Sequence, residues 1–127
     1  MTLAVDNPES ATVFDGAQSA PLGGDRLHLN EGPMDLIIGV EGSKKSVSEA
    51  FQRAETRFQG LLEGLVSELS ILRQPVGAAP PVVTGSVAKR MVDAVMPHAD
   101  SFVTPMAAVA GAVADEIRDA IADTGNL

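Results

Sequence analysis

Three groups of residues in this chain are of types that bind ligands. The turn Gly32–Asp35 ends in a carboxylate at the start of an apolar run, where burial without a polar partner is costly. We therefore expect Asp35 either to stabilise the turn or to contact a ligand. The segment Thr104–Ala108 begins a predicted helix, and the N–H groups at a helix N-terminus favour a phosphate or carboxylate. Asp115, on the same helix, is either a solvated surface residue or a group that orients a ligand.

The helix that follows Thr104 is made almost entirely of small residues. Six of the eight residues from Ala107 to Ala114 are alanine or glycine. A glycine inside a helix costs about 1 kcal/mol relative to alanine, so Gly111 indicates that another backbone or a flat ligand approaches closely. A tightly packed core helix is the alternative interpretation. Pro105 suits the first helical turn, and Thr104 is expected to cap it.

The composition of the chain argues against several other kinds of site. Lys and Arg number 9 against 17 Asp and Glu, and a net charge of −8 argues against nucleic acid or an anionic membrane as a partner. The absence of cysteine excludes disulfides, thiol nucleophiles and zinc sites built on thiolates. The two histidines, His28 and His98, are 70 positions apart without ligand-like neighbours, so no metal site is predicted.

The sequence predicts a cytoplasmic protein that does not enter a membrane. Its N-terminus lacks the basic segment and long apolar stretch of a signal peptide. No apolar run approaches the ~20 residues that a membrane helix needs. Aromatic residues make up 3% of the chain, with no Trp and no Tyr. A bound flavin or pterin could therefore stack only on Phe14, Phe51, Phe58 or Phe102.

The N-terminal part of the chain is predicted to form strands. Met1–Ser10 is expected to be a flexible tail, and Ala11–Asp15 a short strand. Gly16–Asp25, which contains a proline and a glycine pair, is interpreted as a turn region. Arg26–Asn30 alternates polar and apolar residues, and the apolar run Met34–Val40 follows a Glu-Gly-Pro turn. The last two segments are therefore predicted to pair as an antiparallel hairpin.

The remainder of the chain is predicted to be mainly helical. A capping-box pattern opens Ser46–Leu72, where apolar residues recur at spacings of three and four and predict one long helix. Gly60 and Gly64 mark the place where this helix could kink or break. Two further helices are predicted at Ser86–Met96, which Pro97 ends, and at Pro105–Asp123.

Together these elements predict an α+β fold. An antiparallel sheet made from the N-terminal strands would carry two to three helices packed on one face. We expect residues 11–127 to form a single domain. The strand Met34–Val40 would leave an exposed sheet edge that oligomerisation can cover, so a homo-oligomer, most simply a homodimer, is expected.

Two segments resemble a known family. LHLNEGPMDLII at Leu27–Ile38 and TPMAAVAGAVADEI at Thr104–Ile117 are similar to a short cytoplasmic branch of the ApbE-like superfamily. The resemblance covers roughly Asp25 to Ile121 and implies an ApbE-like or T-fold-like arrangement, here incomplete. The better-known members are flavin transferases, which use FAD and a magnesium ion to attach FMN to a protein Thr or Ser.

The flavin transferases also indicate which residues of the small-residue helix would matter. Their helix near the flavin matches this chain at Gly111 and Asp115. It has a Gly, a Lys and a Tyr at the positions of Ala107, Ala110 and Ala112. Family members continue into an Asn-Gly-Gly-Asp strand and a second half that contains the metal-binding Asp and Thr. The resemblance therefore implies that this sequence is an N-terminal portion without the metal ligands.

Two functions of different class are consistent with these observations. In the first, the protein handles a flavin nucleotide, FAD or FMN, or a pterin-like molecule, as a relative of the FMN transferases. In the second, it is a non-catalytic binding or assembly protein whose small-residue helix is an oligomer interface. The sequence contains no recognisable catalytic dyad. The residues predicted to contact the ligand are Gly32, Asp35, Thr104, Pro105, Met106, Ala107, Ala108, Gly111 and Asp115.

Overall fold

Four strands form an antiparallel sheet at the start of the chain. The computed structural model describes residues 12–14 and 16–125, with side chains described for residues 16–122. The predicted tail, Met1–Ser10, lies outside the described residues. The sheet has the order β1-β2-β3-β4, with every neighbouring pair antiparallel. Its strands are β1 (Thr12–Phe14), β2 (Ala17–Leu22), β3 (Arg26–Glu31) and β4 (Met34–Gly39).

Helices make up most of the chain after the sheet, so the predicted α+β class is confirmed. Short 3₁₀ helices cover Met96–His98 and Pro105–Ala108. No helix in residues 16–125 has the length and apolar character needed to cross a membrane. The α-helices are α1 (Lys44–Phe58), α2 (Leu61–Ser67), α3 (Leu69–Leu72), α4 (Ser86–Val95) and α5 (Val109–Gly125).

The chain divides into two compact units. The first consists of Met1–Leu62 with Ile117–Leu127, and the second of Glu63–Glu116. The sheet and α1 therefore belong to the first unit, and α4 belongs to the second. The expectation of a single domain over residues 11–127 stays a prediction.

The hairpin of β3 and β4 is confirmed, whereas the interpretation of Gly16–Asp25 as a turn region is wrong. Residues 17–22 of that segment form β2, which pairs with both β1 and β3. Pro21 is tolerated because the described residues of β1 pair with Ala17–Ser19, so among residues 12–14 and 16–125 only β3 pairs with Pro21. The tight turn is confined to residues 23–25, where Gly24 has a φ of +73°.

The core of the first unit lies between α1 and the sheet. One stripe of α1 is buried, and its residues are Val47, Ala50, Ala54 and Phe58. On the sheet, Ala17 and Leu29 are fully buried and Leu27 is 3% exposed. The period of two along β3 and the helical period along α1 bring these apolar residues together, which is the expected origin of the core.

The predicted long helix Ser46–Leu72 is three helices. It starts earlier than expected, because Ser43 accepts a hydrogen bond from the Ser46 N–H and is the N-cap of α1. The first break lies at Gly60, whose φ of +74° is left-handed. The second break, at Glu68, has no signal in the sequence.

In the second unit, α4 supplies the main apolar face. Val87, Met91 and Val95 are buried there, as their spacing predicts. The 3₁₀ helix Pro105–Ala108 packs against α4, and Pro105 is fully buried. A backbone hydrogen bond also joins two segments of this unit that are distant in sequence: the Val76 N–H donates to the Val103 carbonyl oxygen over 3.0 Å.

Candidate functional site

The segment Thr104–Ala108 begins the last helical stretch of the chain, as expected. Thr104 is extended, with φ −111° and ψ 158°, and Pro105 occupies the first position of the 3₁₀ helix. The expected capping by the threonine is wrong, because the Thr104 side chain makes no cap hydrogen bond. The Ala107 N–H donates instead to the Thr104 carbonyl oxygen over 3.0 Å. Pro105 is buried, Met106 and Ala108 are half-buried, and Ala107 is exposed.

An exposed aromatic ring lies two residues before this helical start. Phe102 is 86% exposed, whereas Phe58 is fully buried and Phe51 is half-buried. The backbone next to it is held in place, because Val103 accepts the hydrogen bond from Val76. An exposed aromatic ring on a backbone held in this way is available to stack on a flat ligand.

The small residues of α5 and of the turn before it lie on two different faces. Ala112 and Val113 are each 5% exposed. The opposite face is exposed to solvent, and its residues are Ala107, Ala110, Gly111 and Ala114. A Cβ atom placed on Gly111 would meet nothing within 4 Å among the described residues beyond its own stretch of helix. No described residue beyond this stretch of helix therefore makes the close approach predicted at Gly111. The alternative interpretation, a tightly packed core helix, applies only to the buried face with Ala112 and Val113.

Asp115 is half-buried and lies beside an anchoring residue that the sequence did not single out. The carboxylate of Glu116 accepts hydrogen bonds from the Ser86 hydroxyl over 2.8 Å and from Arg90 Nε over 2.9 Å. These contacts join α5 to the first two turns of α4 within the second unit. Glu116 fixes the rotation of α5 about its axis, and this places Asp115 and Gly111.

The turn at Gly32 and the Asp35 carboxylate belong to the first unit. Gly32 has a φ of +55°, so the Glu-Gly-Pro turn needs its conformational freedom. Asp35 bonds to the ring Nε2 of His28, a neighbour across β3 and β4, and Asn30 Nδ2 donates to it over 3.3 Å. The hydrogen bond from His28 holds the pKa of Asp35 below its ordinary value. Of the two roles expected for Asp35, the structure supports the stabilising one.

The sheet and the carboxylate of Asp35 hold His28 in position. His28 is 6% exposed, and its partner is a carboxylate, an arrangement that fixes an imidazole ring. Within residues 12–14 and 16–125, no group of three or more His, Asp or Glu side chains is arranged to hold a metal ion. The His28–Asp35 pair was missed in the sequence because it forms across a strand pair, at a separation of seven residues.

The predicted site residues fall into two groups. Gly32 and Asp35 lie in the first unit, and the segment Thr104–Asp115 lies in the second. Within the second unit, one helical stretch carries Thr104, Gly111 and Asp115, so seven of the nine predicted residues are on one continuous segment. Phe102, whose ring is exposed beside them, is added to this candidate site.

A comparison with protein families identifies the chain at the family level. A family model described as AbpE bacteria matches residues 17–127. The chain belongs to this family. The match includes all nine predicted site residues, from Gly32 to Asp115. A search of curated proteins and a search of solved structures found no match to this AbpE family member.

Proposed function

We propose that the protein binds a flavin nucleotide or a pterin-like molecule along Phe102–Asp115, as a relative of the flavin transferases. The observation that carries the proposal is the exposed ring of Phe102, two residues before a helical start. An isoalloxazine or pterin ring is flat and apolar on both faces, and such rings stack on exposed aromatic side chains. Of the phenylalanines with described side chains, Phe102 presents the most surface.

The helical start adjacent to Phe102 supplies the polar part of the proposed site. At this helical start Pro105 has no N–H and the Ala107 N–H donates to the Thr104 carbonyl oxygen, which leaves the Met106 N–H to meet an anion. An anionic phosphate on the nucleotide would be stabilised there by this N–H group and by the helix dipole. The exposed Ala107 and Gly111 would let the ligand lie close to the helix surface.

A fluorescence titration with FMN tests the proposal. The protein contains no Trp and no Tyr, so changes in flavin fluorescence are free of protein background. We expect Phe102→Ala to weaken FMN binding at least tenfold. The matched control is Val82→Ala, because Val82 is also apolar, lies in the same unit and is 85% exposed. Equal affinities of the two variants would contradict a stacking role for Phe102.

The second candidate function is assembly of a homo-oligomer through the exposed face of α5. The observation that favours it is the uncovered Gly111 among Ala107, Ala110 and Ala114. A helix face of small residues lets a second helix approach closely. The packing energy gained by this approach would offset the lower helix propensity of the glycine. Here the protein would be a non-catalytic binding or assembly module.

Light scattering of two glycine variants separates the assembly proposal from the flavin proposal. Gly111→Leu should convert an oligomer to a monomer. Gly64→Leu is the matched control, since Gly64 is also an exposed helical glycine with nothing within 4 Å of a Cβ atom. A wild-type monomer would contradict the assembly proposal and leave the FMN titration to decide the flavin proposal. Both proposals place the protein in the cytoplasm, the location expected from the sequence.

A further inference from the structure

A groove in the first unit has the shape and charge of a second ligand site. It has a volume of about 490 Å³, within the range of small-molecule pockets. It lies between α1 and the turn that joins β2 to β3. Its apolar wall includes Leu27, Val47 and Phe51, of which the first two are buried and the third is half-buried. None of these residues belongs to the segment Phe102–Asp115.

The long axis of the groove follows one stripe of α1. Lys44 lines it at one end and Glu55 at the other. The two residues are eleven positions apart, which corresponds to about 16 Å at the rise of an α-helix. Between them, Val47 and Phe51 recur at helical spacing and present apolar surface. The groove therefore has an apolar wall, with Lys44 and Glu55 at the two ends of the α1 stripe and the Asp25 carboxylate on the side of the β2–β3 turn.

The Glu55 carboxylate is fixed in position by a buried hydroxyl. Ser19 is 2% exposed, and its hydroxyl donates to Glu55 Oε2 over 2.5 Å. The other carboxylate oxygen, Oε1, has no hydrogen-bond partner among the described residues. Glu55 also lies in the last turn of α1, where the helix dipole disfavours a carboxylate. A carboxylate that is oriented, half-satisfied and opposed by the dipole is well suited to accept a cation.

The charges that line the groove favour a ligand with one positive charge. Lys44 lies in the first turn of α1, again against the helix dipole. Asp25, in the turn between β2 and β3, also lines the groove, so two carboxylates and one ammonium group surround a ligand there. One positive charge near Glu55, attached to an apolar body over Phe51, matches the charges and the wall.

We propose that this groove binds a primary monoamine with an aromatic or apolar body. The ammonium group donates to Glu55 Oε1, and the ring lies against Phe51 and Val47. This site is independent of the proposed flavin site, because its lining residues belong to the first unit and Phe102–Asp115 to the second.

Three probes of similar size and different charge test the site. Phenethylamine, 2-phenylethanol and 3-phenylpropionate share a ring and a two-carbon chain, and ¹H–¹⁵N NMR titration reports both affinity and location. We expect phenethylamine to bind at least tenfold more tightly than either of the other two. The shifted amides should lie along α1 and in the turn before β3. Equal affinity for all three probes, or shifts confined to other elements, would overturn the proposal.

Two variants on α1 test the role of the carboxylate. Glu55→Gln retains an oxygen that accepts the Ser19 hydrogen bond and removes the charge, so phenethylamine should bind at least tenfold more weakly. Glu49→Gln is the matched control, since Glu49 is exposed on the same helix and does not line the groove; its affinity should stay within twofold. An unchanged affinity in Glu55→Gln contradicts the proposal. If this variant does not fold, the three probes on the wild-type protein decide.

Discussion

The hairpin of β3 and β4 and the segment Phe102–Asp115 both contain predicted ligand contacts, yet they differ in how their groups are used. In the hairpin, Asp35 is bonded to His28 and to Asn30, and the His28 ring is buried. In the later segment, the Phe102 ring and the Gly111 backbone are uncovered by the described residues.

This difference separates stabilising residues from candidate binding residues. A polar group that already has its partners gains little from a ligand, because binding would first break existing hydrogen bonds. An aromatic ring or a helix face without partners can bind without that cost. We therefore expect Asp35 to stabilise the first unit, and Phe102–Asp115 remains the segment that we propose for binding.

The largest expected effect is a loss of stability on removal of the His28–Asp35 pair in the hairpin. His28→Ala removes a buried ring and leaves Asp35 without its main partner. We expect the free energy of unfolding to fall by about 1–3 kcal/mol, measured by thermal or urea denaturation. Ile37→Ala is the control in the paired strand, because Ile37 is 61% exposed and should change stability far less. Equal losses for the two variants would show that the His28–Asp35 pair contributes nothing specific.

The hairpin shows how far the sequence predicts this molecule. The β3–β4 pairing was predicted because an alternating segment, Arg26–Asn30, and an apolar run, Met34–Val40, lie on either side of a Glu-Gly-Pro turn, which is a local signal. Strand β2 was missed because Pro21 and its neighbouring glycines have the composition of a turn. Whether a proline can lie in a strand depends on which neighbouring strands pair with it, and only the structure gives these pairings for Pro21.

The candidate site was only partly predictable for a similar physical reason. The segment Thr104–Asp115 was found from its composition, since small residues in a helix are a local signal. The exposure of Phe102 and Gly111 depends on which neighbours cover them, and that is decided by tertiary packing. The pairs His28–Asp35 and Arg90–Glu116 depend on contacts between elements, so no sequence spacing indicated them.

An intermediate effect is expected at Glu68, which caps α4 from a distance. Its carboxylate accepts hydrogen bonds from the Thr84 N–H over 2.7 Å and the Gly85 N–H over 3.0 Å. Gly85, the N-cap of α4, has no side chain that could do so. Glu68→Gln should lower the free energy of unfolding by about 0.5–1 kcal/mol, since exposed bonds of this kind contribute modestly. A variant as stable as the wild type would contradict the capping role.

The same contact gives a pH dependence with a definite sign. The two backbone N–H groups hold the pKa of Glu68 below its ordinary value. A lowered pKa in the folded state means that the contribution is present above the unfolded-state pKa and is lost as the pH falls below about 4. The Glu68→Gln variant should lose less stability between pH 6 and pH 3 than the wild type, measured by urea denaturation across this range. An identical pH profile would contradict this assignment.

The smallest expected effect is a change in stability at Gly111, and it tests whether the exposed face of α5 is uncovered. Gly111→Ala places a Cβ atom in open space inside a helix, so the monomer should be stabilised by about 0.4–1 kcal/mol. Thermal denaturation at low protein concentration measures this gain. A loss of stability there would mean that the face of α5 is covered, and Gly111 would then have a packing role.

Native mass spectrometry of the protein with excess FMN tests the central claim most directly. The account predicts a bound mass equal to one FMN for each chain in the wild type and in Val82→Ala, and at least tenfold weaker binding in Phe102→Ala. The mass under denaturing conditions should be that of the chain alone, because the proposed site binds the flavin without a covalent bond. Protein free of flavin at every FMN concentration would contradict the account, whatever its oligomeric state.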